Sequence, residues 1–440
     1  MGISRLILFV LFVAIAIPPA LAEDYVFCFP PNFRANQRST SDLRRVTPAE
    51  VQHTVHLGSS VANTVHVRIP SVGFDTSLTL QAGVAAVLQL PGEAIVAEQG
   101  SSKHAIFVTT QSPVAITALS SRFQSTEAFS VHSTGQLGTS YVVASFTKLA
   151  ADLTGLFSII GTTDGTQLRI TGPAQSRAFD SSLAAGFMIS LGKGEVWTYR
   201  APFTTDSNCD PTGTIINATA PVAVITGHNC AYVPEKTEAC NPLYEQLRPI
   251  PSLGASVFVP PLEGRSFSIV RVIAASEGAN LTVNGETGEK LASQLFVDLD
   301  RKLEPVWIEA NQAMQVMLLS PGFNNGDSVG DPCMIAVPSV SDYARVQVVM
   351  AITDAEWNNY LTVILPPGHS DDVVIDGTLL ADSSVRKHSS SEFRWASVMV
   401  TPGMHTISSD EPVGVFVHGF GYSSNAFDAY GVGGSTVLKR

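Results

Sequence analysis

A short motif of proline, valine and alternating apolar residues returns along the chain, and this periodicity constrains the fold more than any other feature. Ser112-Pro113-Val114-Ala115-Ile116, Ala220-Pro221-Val222-Ala223-Val224 and Glu411-Pro412-Val413-Gly414-Val415 are near copies; Gln312-Ala313-Met314-Gln315-Val316 is a weaker one without the proline. In chain order the four starts lie 108, 92 and 99 residues apart. Each copy is preceded by a strand-turn-strand signal, such as Phe157–Ile160, Asp164-Gly165 and Gln167–Ile170 before the second. Period-two alternation of β-branched and short polar residues suits a half-buried strand, whose successive side chains point to opposite faces. Asp-Gly and Asn-Gly accept the positive φ of tight hairpins, and a proline just ahead of a buried strand sits where no ladder donor is needed.

A unit of about 100 residues with seven or eight such strands matches a β-sandwich. The expectation is therefore an all-β chain: a tandem array of about four β-sandwich-like repeats with little helix. The expected divisions are a signal peptide at 1–22, then repeats at 23–150, 151–262, 263–352 and 353–440. A propeller is the rival architecture, but its blades are about half this period. Composition agrees, since 34 Gly and 26 Pro punctuate the 440 residues without low-complexity runs. Net charge is -12 and no basic stripe occurs, so nucleic acid is not expected as a partner.

Residues 1–22 read as a secretory signal. Arg5 gives the positive start, Leu6–Ile17 the apolar run, and Ala20-Leu21-Ala22 a small-x-small cleavage site. Twelve apolar residues from Leu6 to Ile17 are too few for a bilayer, which needs about 20. No later segment reaches that length, and Ser435–Arg440 is polar rather than a lipid-anchor tail. A secreted, extracellular chain without a membrane span is expected. Five cysteines fit an oxidising compartment. Cys230 and Cys240 are close enough in sequence to close a small ring; Cys209 and Cys333 are candidates for a second bridge, leaving Cys28 over, and the pairings stay open. Asn217-Ala218-Thr219 and Asn280-Leu281-Thr282 are glycosylation acceptors if exposed.

Catalytic signatures are few. The sequence has no Gly-x-Ser-x-Gly elbow, no His-Glu-x-x-His and no phosphate-cradling loop. His53, His56 and His66 do not share a strand face. Asp371-Asp372, Asp298-x-Asp300 and Asn324-Asn325-Gly326-Asp327 read as solvated turns, because calcium needs about six or more oxygens and no run supplies them. A zinc site at His228, Cys230 and Cys240 is disfavoured in an oxidising compartment. No metal, cofactor or catalytic residue is expected. What does recur is a loop after each Pro-Val strand in which Gly, Ser and Asn accompany aromatics, a composition suited to recognition. The fourth loop, with Phe420, Tyr422, Phe427 and Tyr430, is the richest and the first candidate for binding. The bland reading is that these rings plug the end of a sandwich.

With these residues in place a family resemblance emerges. The stretch Ala105–Ser145, the run through Gly227–Leu247 (GHNCAYVPEKTEACNPLYEQL) and Leu253–Pro261 (LGASVFVPP) resemble the N-terminal domain family of the IgGFc-binding protein, over roughly Ala105 to Gly431. The segment Gly227–Leu247 is the most specific part. The resemblance implies a secreted or surface-exposed, non-catalytic β-rich module of mucus-type and adhesive proteins, with Cys230–Cys240 as a disulfide. The cysteine-rich repeats of the family's namesake are not found in this sequence. Polymerising roles and immunoglobulin binding are therefore not carried over. The leading expectation is an interaction or adhesion protein that binds extracellular glycoproteins, glycans or foreign surfaces through repeat-end loops. The alternatives are a carbohydrate-active hydrolase using a carboxylate pair, and a structural matrix spacer.

Overall fold

The computed structural model describes residues 23–32, 51–96, 99–122, 124–150, 152–275, 278–291, 295–353, 356–422, 427–434 and 436–437. The expected signal segment 1–22 lies outside the described residues. Strands dominate; among the described residues helix is confined to the five-residue α1 (Ser181–Ala185), N-capped by Asp180, and to short 3-10 turns. The all-β expectation holds.

The first strands are β1 (Glu23–Phe27), β2 (Gln52–Gly58), β3 (Asn63–Ile69), β4 (Phe74–Leu80), β5 (Ala86–Gln89), β6 (Gly100–Ser102), β7 (Ile106–Thr110), β8 (Ala115–Ser121) and β9 (Glu127–Ser130). They form two sheets, β1-β7-β3-β4 and β5-β2-β8-β9, while β6 pairs with a later strand. The next set is β10 (Gly138–Val142), β11 (Gly155–Gly161), β12 (Thr166–Thr171), β13 (Phe187–Leu191), β14 (Val196–Arg200), β15 (Ile215–Ala231) and β16 (Asn241–Gln246). The first part of β15 pairs with β10 and β12, the second with β11 and β16. The long strand therefore serves in both sheets, and Pro221 sits at the switch.

The third set comprises β17 (Ser256–Val259), β18 (Ser268–Ala274), β19 (Ala279–Val283), β20 (Glu286–Leu291), β21 (Phe296–Lys302), β22 (Val306–Ala310), β23 (Met314–Leu319) and β24 (Met334–Ala336). Its sheets are β17-β22-β19-β20 and β21-β18-β23-β24, the order of the first set. The last set is β25 (Ala344–Ala351), β26 (Trp357–Leu365), β27 (Val374–Ile375), β28 (Thr378–Leu379), β29 (Arg386–Lys387), β30 (Arg394–Val400), β31 (Gly403–Gly421), β32 (Ala429–Gly433) and β33 (Thr436–Val437). Here β31 plays the double part of β15, with Pro412 at its switch. One strand order is thus used four times. The expected divisions at 150, 262 and 352 fall after β10, β17 and β25, whose hydrogen bonds join them to the later sheets.

Burial separates the two sheets of each set. Outer strands alternate, as in β3 and β12, and leave one face in water. Inner strands such as β11, β18 and β23 are buried at every residue, because they pack against their own sandwich on one face and a neighbouring set on the other. Ile160, Ala223, Ile225 and Tyr244 of the second set join the first core. Ile269, Ile273 and Met317 of the third join the second core, and Ile364 and Phe416 of the fourth join the third. Leu119 and Ala128 of the first set enter the fourth core, and Ala115 packs with Val348 and Met350, closing a ring. Between the second and third sets, buried Arg271 is bidentate to Asp298 (2.8 Å on both oxygens), reaches Asp210 at 2.8 Å, and stacks on Phe146 and Phe296. Burial alone would lower its pKa; the two carboxylates outweigh that and raise it.

Candidate binding face and axial centre

At the middle of the ring the last strands of the four sets meet, β9 against β16 and β32, and β24 against β16 and β32. Each is the edge of its inner sheet, so alternate N–H groups point away from the ladder into a buried centre, where an unpaired donor costs free energy. Two carboxylates take them. Glu127 accepts from Ala128 (3.0 Å), Gly431 (3.1 Å) and Met334 (3.0 Å), and Glu245 accepts from Ala336 (2.8 Å) and Gly433 (3.0 Å). Gly433 allows this approach, since a Cβ there would lie 2.4 Å from the Ala336 carbonyl and 2.6 Å from Glu245 Oε1. Burial pushes both acids up, Glu245 to about 8 and Glu127 well above the usual range with Glu245's charge adding to the rise; the backbone donors pull the other way.

The loops that enter these strands come together at one end of the axis. Asn241 is their hub: Nδ2 donates to the carbonyls of Thr126 (2.6 Å), Pro332 (2.9 Å) and Ala429 (3.3 Å), and Oδ1 accepts from Thr126 N–H (3.1 Å). Asp428 accepts from the N–H and hydroxyl of Thr126 at 2.9 and 2.6 Å. One side chain therefore binds all the other sets. The second loop is closed by the Cys230–Cys240 disulfide (Cα–Cα 5.3 Å). Gly322 of the third loop donates to the Val233 carbonyl at 2.7 Å, and a Cβ at Gly322 would lie 2.7 Å from the Ala239 oxygen. Phe323 meets Phe427 of the fourth loop at 3.8 Å between centroids. Beside the disulfide loop opens a cleft of about 610 Å³ lined by Lys148, Tyr232, Glu235, Lys236, Glu238 and Asn324. Burial, then the charges of Glu238 and Asp331, raise the Tyr232 phenol.

The sequence-selected aromatics divide. Phe420 is 2% exposed, under the buried Arg265 guanidinium at 5.0 Å, and Tyr430 is fully buried, accepting from Ile352 N–H. Both rings pack inside the molecule and are not available at its surface. Tyr422 (45% exposed) and Phe427 (39%) stand at the surface. Asn217 on β15 and Asn280 on β19 are exposed on outer sheets. Cys28, Cys209 and Cys333 are buried free thiols, so Cys209 and Cys333 do not form the second bridge considered above. Cys230 and Cys240 are spent on their disulfide, which leaves no zinc thiolates beside His228. The acidic runs are engaged within the fold: Asp298 on Arg271, Asp371 on Arg394, Asp372 on Ser409 (2.7 Å), and Asp327 on Ser266 N–H (3.0 Å). Asn241 and Glu245 lie inside the segment with the strongest family likeness, but nothing in their spacing marks them as axial.

Four like sandwich sets in a ring, with entry loops gathered at one end of the axis, define a repeat-built all-β protein. Residues 127–419, well over half of the chain, match the family model described as IgGFc binding protein. The chain belongs to this family. It is 24% identical over 360 residues to the human (Homo sapiens) IgGFc-binding protein, a match covering 79% of this chain and 6% of that protein's length. Among solved structures, an anti-sigma factor domain-containing protein matches at 10% identity and TM-score 0.11, over 61% of this chain and 96% of that one. A tetra-tandem repeat from the extending region of a large adhesion protein matches at 10% identity and TM-score 0.10, over 87% and 92%.

Proposed function

We infer that this chain is a secreted, non-catalytic interaction protein whose loop end binds extracellular glycoproteins or glycans. The observation that carries the reading is the convergence of the entry loops through Asn241 onto one end of the axis, where the disulfide-pinned loop walls the Tyr232 cleft. A fixed platform loses little entropy on binding, and an aromatic ring among Lys, Glu and Asn offers a stacking surface with polar contacts around it. Phe427, against Phe323 next to Asn324 of the cleft, extends that surface, and Tyr422 is exposed in the same fourth loop. The test is a glycan and glycoprotein array probed with the wild-type chain and with Tyr232→Ala, Tyr422→Ala and Phe427→Ala. Loss of tenfold or more in affinity for the best ligand with Tyr232→Ala is the expected result; retained binding in all three variants overturns the loop-end reading. Export itself is checked by mass spectrometry of the secreted chain, with a new N-terminus at Glu23 and glycosidase-sensitive mass on Asn217 and Asn280 expected.

A further inference from the structure

At the far ends of the axial strands from the Asn241 hub lies a second feature, a half-enclosed cavity of about 90 Å³. All four sets contribute to its wall: His132 from the first, Gln246 and Arg248 from the second, Gln315 from the third and Gln347 from the fourth. Its charges are already spent. Arg248 is paired with Asp342, whose other oxygen accepts from Ser339 N–H (2.9 Å) and hydroxyl (2.7 Å). Glu245 holds two backbone N–H groups, and burial followed by the charge of Arg248 lowers the His132 imidazole to about 4, keeping it neutral.

Two amide atoms remain unmet. Gln246 is 1% exposed; its Oε1 accepts from His132 N–H at 3.0 Å, but its Nε2 has no partner among the described residues. Gln315 is 4% exposed, and its Oε1 likewise has none. A buried donor and a buried acceptor left open in one polar cavity call for something from solvent to pair with both. Leu253, Val257, Val316, Val337 and Val415 give the same cavity an apolar side. An uncharged group with one acceptor, one donor and a small apolar end suits all three features.

We propose that this axial cavity binds an acetamido group, the substituent of N-acetylated sugars, with its carbonyl accepting from Gln246 Nε2, its N–H donating to Gln315 Oε1 and its methyl on the valines. A carboxylate is disfavoured because the lining's Arg248 is already paired with Asp342, and an unsubstituted hexose because its hydroxyls bring no methyl to the apolar wall. The site is separate from the loop end and does not depend on it.

The probes are acetamide, N-acetylglucosamine, glucose and acetate, followed by ligand-observed NMR titration and by soaking into crystals of the wild-type chain. Acetamide and N-acetylglucosamine are expected to give density between Gln246 and Gln315, whatever the sugar does at the loop end. Glucose and acetate are expected to leave water there. Gln246→Met and Gln315→Met should each weaken acetamide by tenfold or more, while Met188→Ala, exposed on the outer strand β13, leaves it unchanged. Water alone in the wild-type cavity at saturating probe, equal binding of glucose, or equal loss of acetamide binding in Met188→Ala each overturns the proposal. The wild-type soak decides even where a glutamine variant does not fold.

Discussion

Asn241 shows how much one polar side chain can hold when its partners lie in other repeats. It meets both backbone groups of Thr126 and the carbonyls of Pro332 and Ala429 in a fully buried centre. Asn241→Ala is expected to destabilise the chain by about 1–3 kcal/mol in denaturant unfolding, since buried carbonyls of three other sets lose a hydrogen bond there. A change within a few tenths of a kcal/mol would show that the centre repacks. Glu245 makes a prediction in pH. Its pKa is raised in the folded chain from 4.5 to about 8, so the folded state holds the proton more tightly than the unfolded state. Stability from this group is present at low pH and declines as pH rises from about 4.5 through about 8. Glu245→Gln stays neutral and can still accept from Ala336 and Gly433. Its melting temperature should fall less between pH 5 and pH 8.5 than the wild type's; parallel curves would show that Glu245 is not the titrating group.

Among the elements, the disulfide loop sits apart energetically from the strands it joins. Closing a loop of 10 residues removes unfolded-state freedom worth about 3 kcal/mol. Its contacts with the third loop through Gly322 are local, whereas β15 and β16 are held along their length by ladders. Reduction is expected to raise amide exchange in residues 230–240 and leave β11, β15 and β16 protected; exchange spreading through those strands would mean that the disulfide holds the second sandwich together. The long strands β15 and β31 make the complementary point. Pro221 and Pro412 fall where each leaves one sheet for the other, a place with no ladder bond for the missing N–H to break.

At the scale of the whole molecule, closure is the stabilising device. Each inner sheet is apolar on both faces because a neighbouring set covers the second one, and the first set covers the fourth. Removing residues 340–440 would bare Leu119, Ala128, Ala115 and the apolar side of the third core together. Such a truncation is expected to aggregate or to lose its cooperative transition in circular dichroism and size-exclusion chromatography. A soluble three-set fragment with one sharp transition would show that the sets are independent and the ring incidental.

By itself the sequence determined the local and repeated parts: strands from period-two alternation, tight turns from Asp-Gly and Asn-Gly, the fourfold recurrence of the Pro-Val strand, and the local disulfide. Those signals are short-range, because backbone preference and alternation act over a few residues. It also placed the specific segment Gly227–Leu247, where Asn241, Glu245 and Gln246 reside, without any hint of their work. Only the tertiary structure decided that the sets close into a ring, that Phe420 and Tyr430 turn inward while Tyr422 and Phe427 face water, and that Glu127 and Glu245 cap strands some hundred to three hundred residues away in sequence. The reason is physical. A strand buried on one face and a strand buried on both differ only in what another part of the chain brings against them, and no periodicity within the strand records that partner.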